Sequence, residues 1–246
     1  MGTEKTKTKD IKKDIKVISF DAGFTLIYTE PPVGEVYAGV AARFGYSLNG
    51  EDIHARFLET FKKQNALNRE KRSDNALADE KRSYEWWKEI FKESMGDLLP
   101  PADLEKMFKV CFDEYARGDY WRLFPDVEQT LTTLRSRGYR MVVLSNWDHR
   151  LNQTLNELGL SRFFEKIYIS TLIGFAKPDP GAFRYVIEDL KVPAEVILHV
   201  GDTLEEDILG ARRAGVRAVC IDRNERYPSM RDQIPIISSL AELLES

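Results

Sequence analysis

The chain has 246 residues, 43% of them apolar and 31% charged, a make-up and length that suit a globular fold of one large domain or two smaller ones. A net charge of −4, with no basic stripe interleaved with aromatics, excludes nucleic acid from the expected partners. No apolar run approaches the roughly 20 residues that cross a bilayer, so no membrane partner is expected either.

Met1 to Asp14 is rich in Lys and Thr but lacks the apolar stretch of a signal peptide, and it reads as a frayed, solvated tail. Lys16 to Phe20 reads as a first strand, and Asp21 to Thr29 as the loop leaving it. From Pro31 to about Trp121 only helical periods occur. Val36, Tyr37, Val40, Ala41 and Phe44 share one face, and Leu104, Met107, Phe108, Cys111, Phe112 and Tyr115 form the clearest stripe. Trp86-Trp87, with Tyr84 and Phe91, is expected in the core of this block. Cys111 and Cys220 form no CxxC and have no His nearby in sequence. Buried, reduced thiols and a cytoplasmic location are therefore expected.

From Pro125 onward strand and helix alternate. Helices are expected at 126–137, around Leu151, Leu155 and Leu158, at 180–190 and at 205–214. Strands are expected at 140–144, 166–170, 196–200 and 217–221. This rhythm predicts an α/β fold, a doubly wound parallel sheet with helices on both faces. The expected organisation is a core of residues 15–29 and 123–246, with a helical insertion over 30–122.

Four strand-end segments carry polar residues suited to phosphate, and in such a sheet they can converge on one crevice. Asp21 could attack phosphorus as a carboxylate nucleophile, although an Asp after a strand also serves as a turn or capping residue. Ser145-Asn146 precedes a helix, where a hydroxyl and backbone N–H groups can hold phosphate oxygens or simply cap the helix. Lys177, within Gly-Phe-Ala-Lys-Pro-Asp-Pro, could neutralise phosphoryl oxygens and hold the nucleophile. Asp202, with Asp21, offers the hard oxygens that Mg²⁺ prefers, and Asp207 is expected behind it or bridged to it by water. Acidic residues there also complement a helix dipole. Of the histidines, His54 is expected at the surface, His199 in packing or structural hydrogen bonding, and His149 at a solvated helix start.

Together these segments resemble the four motifs of the haloacid dehalogenase-like (HAD) hydrolase superfamily, with the insertion after the first motif as in subfamily I. Pro-Val-Gly-Glu-Val-Tyr (32–37), Trp86-Trp87, Ser-Asn-Trp-Asp-His-Arg-Leu (145–151) and residues 174–180 resemble its rhythmically-expressed-gene-like branch, which includes hydrolase domain-containing relatives. The resemblance implies a Rossmann-like core with a helical cap that closes on a small phosphorylated substrate. It implies Asp21 as nucleophile and Ser145 and Lys177 as phosphate-binding residues. Asp21, Asp202 and the carbonyl of Gly23 would be ligands of Mg²⁺, with Asp207 in support.

One position departs from the family. Phosphatases of this superfamily carry a second Asp two residues after the nucleophile, as general acid and base; here it is Gly23, followed by Phe24 where Gly is usual. Losing such a group costs about 10²- to 10⁴-fold. A weak Mg²⁺-dependent phosphatase is the expected function. A phosphonatase-type enzyme would need a cap lysine such as Lys62, Lys63 or Lys88. A dehalogenase would not need Asp202 and Asp207. A catalytically reduced member binding a phosphorylated ligand or a protein partner is the non-enzymatic alternative. Neither substrate identity nor oligomeric state is readable.

Overall fold

The computed structural model describes residues 14–70 and 75–245, so the expected tail before Asp14 lies outside the described residues. Its centre is a six-stranded sheet in the order β5-β4-β1-β6-β7-β8, with every pairing parallel. The strands are β1 (Val17–Phe20), β4 (Arg140–Ser145), β5 (Lys166–Ile169), β6 (Ile197–Gly201), β7 (Arg217–Ile221) and β8 (Ile236–Ile237). β1 and β6 are buried along their whole length, as the near-continuous apolar runs of strands covered on both faces require. One apolar core, with Phe20, Leu131, Val143 and Val200, lies on one face. A second, with Val142, Phe183, Ile208 and Cys220, lies on the other.

The chain leaves β1 to form β4 and β5 on one side, then returns to form β6, β7 and β8 on the other. The carboxyl ends of β4, β1 and β6 therefore flank the point where the order reverses, where such sheets open a ligand crevice.

Residues Asp21 to Thr29, expected as loop throughout, include a short strand β2 (Ile27–Thr29) that pairs antiparallel with β3 (Trp121–Leu123). Between these two strands the chain forms α1 (Val33–Arg43), α2 (Gly50–Glu70), α3 (Glu80–Met95) and α4 (Pro101–Glu114). This helical block has its own apolar core around Ile53, Trp86, Ile90, Phe91, Met107 and Cys111. Asp79 starts α3 by accepting a hydrogen bond from the Arg82 N–H at 2.9 Å.

The helices of the sheet layers are α5 (Val127–Ser136), α6 (Arg150–Glu157), α7 (Ser170–Ile173), α8 (Pro180–Leu190) and α9 (Gly210–Arg213). Two contacts seat the helical block on the β4 side. Buried Arg150 forks onto Asp148 through two 2.7 Å bonds, donates to the Phe112 carbonyl at 2.9 Å and stacks 3.5 Å above the Phe112 ring. Glu80 accepts bonds from the His149 N–H at 2.9 Å and from Thr171, and lies 2.6 Å from His149 Nδ1. His54 is half-buried rather than superficial, its ring stacked near Phe57.

Candidate active site

Three of the polar residues at the crevice are delivered by the ends of apolar strands, whereas Lys177, expected at a strand end, follows a short helix. Asp21 follows β1, Ser145 ends β4, and Asp202 follows β6; Lys177 comes from the loop before α8. The Lys177 side chain is 1% exposed, and its Nζ donates to Asp21 Oδ1 at 2.7 Å and to Asp207 Oδ1 at 2.5 Å. The Ser145 side chain, buried at the end of β4, lies near enough to the Asp21 carboxylate to favour its charged form. The structure thus brings Asp21, Ser145, Lys177, Asp202 and Asp207 into one buried cluster.

The charges account for one another. Burial raises Asp21 above the ordinary carboxylate range, and Asp207 adds to this against the opposing pull of Lys177. Burial pushes Asp202 up to about 7, helped by the charges of Asp207 and Asp21 and resisted by Arg226. Burial would raise Asp207 as well, but Lys177 and His199 outweigh it and hold Asp207 well below the usual range. Burial alone would lower Lys177; Asp207 and Asp21 reverse that and keep the ammonium charged. His199 is lowered by burial and is neutral near pH 7.

Asp207 is fully engaged by protein groups. Besides Lys177 it meets His199 Nε2 at 3.1 Å, the Thr203 N–H at 2.9 Å and the Thr203 hydroxyl at 2.7 Å. A carboxylate has about four lone-pair sites, so this set fills it. The expected helix at 205–214 opens instead with a wide π-type segment, Leu204–Leu209, where the Asp207 side chain turns back onto Thr203. Gly201 makes room for it, since a Cβ there would lie 2.1 Å from Asp207 Cγ.

Asn146 has a partner set different from the expected phosphate. Its carboxamide donates to the Lys177 carbonyl at 2.7 Å and to Glu206 at 3.1 Å, and accepts from the Lys177 N–H at 2.8 Å. Its side chain clamps the loop that presents the lysine.

Arg226, unremarked in the sequence, donates through Nη2 to the Asp202 carbonyl at 2.7 Å and to Asp202 Oδ2 at 2.8 Å. Its loop is held by buried Asp222, which accepts from the N–H groups of Arg226 and Tyr227, both at 2.8 Å. No sequence signal marks either interaction, because both depend on a loop folding back on itself.

Among the described residues, no group of three or more His, Cys, Asp and Glu side chains gathers around a metal position. Mg²⁺ does not need one: it is commonly held by one or two carboxylates, with water and substrate oxygens completing its shell. Asp21 and Asp202 fit that requirement, since each is a buried acid whose pKa is raised in part by the charges of its neighbours. Gly23 bears no side chain, and a Cβ built there would meet Trp147 Cζ3 at 3.4 Å.

A family model described as haloacid dehalogenase-like hydrolase matches residues 15–215. Haloacid dehalogenase-like hydrolase domain-containing protein 3 of Mus musculus is 29% identical over 94% of this chain and 92% of its own. A phosphoserine phosphatase of Thermus thermophilus is 34% identical over 56% of this chain and 55% of its own. The crystal structure of a HAD phosphatase from Thermococcus onnurineus superposes with a TM-score of 0.61 at 26% identity, covering 93% of this chain and 96% of that one.

Proposed function

The chain belongs to the haloacid dehalogenase-like hydrolases, and on that premise we propose that it is a Mg²⁺-dependent phosphatase acting on a small phosphate ester. The observation that carries this reading is the buried Lys177 ammonium, shared between Asp21 and Asp207 at the carboxyl edge of the sheet. It is a fixed positive charge beside a carboxylate that can act as a nucleophile. Similarity to a phosphoserine phosphatase and to a HAD phosphatase supports the same reaction class.

In this reading Asp21 attacks phosphorus and forms an aspartyl-phosphate, which water then hydrolyses. Lys177 and Ser145 bind phosphoryl oxygens, and Lys177 offsets the charge spread over them in the transition state. Asp21, Asp202 and the Gly23 carbonyl would hold Mg²⁺, which supplies Lewis-acid stabilisation of the phosphoryl oxygens. Asp207 keeps Lys177 in place and charged, and Asn146 fixes its backbone. The block over 30–122 would be the cap over the substrate, and the core would comprise 15–29 and 123–246. This organisation supports placing the chain in subfamily I, in the rhythmically-expressed-gene-like branch. A cytoplasmic location is supported by two buried free thiols. Among the described residues, no helix is long and apolar enough to cross a membrane.

Of the three lysines that could serve a phosphonatase-type reaction, two, Lys63 and Lys88, are paired with Glu93 and Glu105 within the helical block, which leaves that reading with less support. The bare Gly23 favours one second reading, a member that binds a phosphorylated ligand without turning it over. A screen of phosphate monoesters with and without Mg²⁺ separates the two. Turnover that requires Mg²⁺ and vanishes in Asp21→Asn supports the phosphatase; no turnover in any condition favours the binding protein.

A further inference from the structure

Beside the buried cluster lies a cleft of about 170 Å³ lined by Phe24, Phe124, Arg223, Asn224 and Arg226. It adjoins the site through Arg226, one of its walls, which is bonded to Asp202; Phe24 follows Asp21 by three residues in the chain. The geometry points to this cleft as the subsite for the part of the substrate beyond the phosphate, suited to a flat or apolar group that carries an anionic substituent, with Arg226 as the cationic contact. This inference rests on the phosphatase reading of the neighbouring cluster.

The lining sets the chemistry. It holds two aromatic rings, two guanidinium groups and a carboxamide, and no carboxylate. Its volume suits a single ring, since a cavity of about 150 Å³ accommodates benzene. Phe24 is 58% exposed and has φ of +53°, a left-handed conformation uncommon for a bulky side chain. Its N–H closes a turn onto the Ile27 carbonyl at 2.7 Å, but its ring belongs to none of the three apolar cores and is left to line the cleft. Such outliers gather at ligand sites.

The two arginines differ. Arg223 is committed to structure: its side chain is 12% exposed, it pairs with Asp126 at 3.0 Å, donates to the Thr25 carbonyl at 2.9 Å and lies 3.8 Å over the Phe124 ring. Arg226 also has protein partners, with Nη2 bonded to Asp202, Nε 3.9 Å from Asp222 and its guanidinium 5.1 Å over the Tyr227 ring, but its side chain is 42% exposed. Its backbone is fixed by Asp222, so it stands at the cleft without needing the ligand to order its loop. A guanidinium so placed is suited to a carboxylate or a second phosphate.

The test is calorimetric binding to the full chain in Mg²⁺, using three probes that are not hydrolysed: inorganic phosphate, phenylphosphonate, and 3- or 4-carboxyphenylphosphonate. The carboxylated probe is expected to bind about tenfold more tightly than phenylphosphonate, the modest end for a charge-assisted hydrogen bond. Arg226→Gln should abolish that difference. Because both probes are compared in one protein, any change it causes at Asp202 cancels. Phe24→Ala, at an exposed position, should bring phenylphosphonate down toward inorganic phosphate while leaving phosphate itself unchanged. Equal binding of the two aryl probes in the wild type, or a difference that survives Arg226→Gln, overturns the subsite and leaves the phosphatase reading standing provided phosphate binds. Failure to bind inorganic phosphate overturns the phosphatase reading, and the subsite with it.

Discussion

The ammonium of Lys177 lies 2.5 Å from Asp207 Oδ1, in a pair whose side chains are each 1% exposed. It lies slightly farther, at 2.7 Å, from Asp21, the proposed nucleophile. Asp207 is held in addition by His199 and Thr203, so in the proposed reaction it would remain the counter-ion of Lys177 while Asp21 exchanged its share for a phosphoryl oxygen.

Replacing Lys177 by Met would leave two buried carboxylates without their cation. Breaking a buried pair in this way costs about 3–5 kcal/mol. Thermal or urea unfolding of Lys177→Met should show a loss of that size, and phosphatase activity should be abolished. A variant as stable as the wild type would mean that the lysine is dispensable to the cluster.

Gly201→Ala tests the same cluster from the strand side. The added Cβ would fall 2.1 Å from Asp207 Cγ, so Asp207 must move away from Lys177 and Thr203. We expect destabilisation of about 2–4 kcal/mol, in the range for disrupting a buried charged network. Activity should drop by at least about tenfold, since a small misplacement of a catalytic group is costly. Unchanged values in both measurements would show that Asp207 does not position Lys177.

The strands of the sheet are legible in the sequence because β1, β4, β6 and β7 are apolar on both faces and end abruptly in polar residues. Asp21, Ser145 and Asp202 could be picked out for the same reason, and Lys177 from its setting in Gly-Phe-Ala-Lys-Pro-Asp-Pro. What escaped depends on partners remote in the chain. β2 and β3 have three residues each and acquire a pattern only by pairing with one another. Arg226 reaches Asp202 through a loop built on Asp222, and Asn146 reaches Lys177 across the sheet edge; neither contact has a period or a spacing to betray it.

Stability should fall steeply above pH 9. Burial pushes the Cys220 thiol up to about 12 and raises Cys111 above its ordinary value near 9; it also raises Tyr37, Tyr115 and Tyr168 above theirs near 10. Lys177 is raised as well, by its carboxylate partners against burial. In each case the folded chain keeps a proton that the unfolded chain loses. Between about pH 9 and 12 the native state therefore binds more protons, and stability declines as pH rises. Each such group contributes about 1.4 kcal/mol per pH unit once its unfolded form has ionised. Urea midpoints measured from pH 7 to 11 should fall slightly to about pH 8, as Asp202 gives up its proton, and then fall with growing slope above about pH 8.5. Thiol alkylation at pH 8 should label neither cysteine until the chain unfolds.

Gly23 separates the two chemical steps. In the proposed phosphatase reaction, Asp21, Lys177 and a Mg²⁺ held by Asp21 and Asp202 would stabilise charge on the phosphoryl group during attack whether or not an acid is present. Protonation of the leaving group is different, because a glycine cannot supply the proton. An alkoxide would then depart unprotonated, and position 23 would offer no base to the water that attacks the aspartyl-phosphate. Aryl phosphates, whose leaving groups are stable anions, should therefore be turned over faster than alkyl phosphates, with slow hydrolysis of the intermediate limiting the rate. The Cβ of Gly23→Asp would sit 3.4 Å from Trp147 Cζ3, at the near edge of ordinary van der Waals contact, so the loop can accept a Cβ there. Gly23→Asp should raise turnover of alkyl phosphates by about 10²-fold, the lower end for general acid–base catalysis, and that of aryl phosphates by less. Steady-state rates on both ester types, for both proteins, decide the matter. If the wild type hydrolyses alkyl and aryl esters equally well, another residue donates the proton, and the account of Gly23 fails.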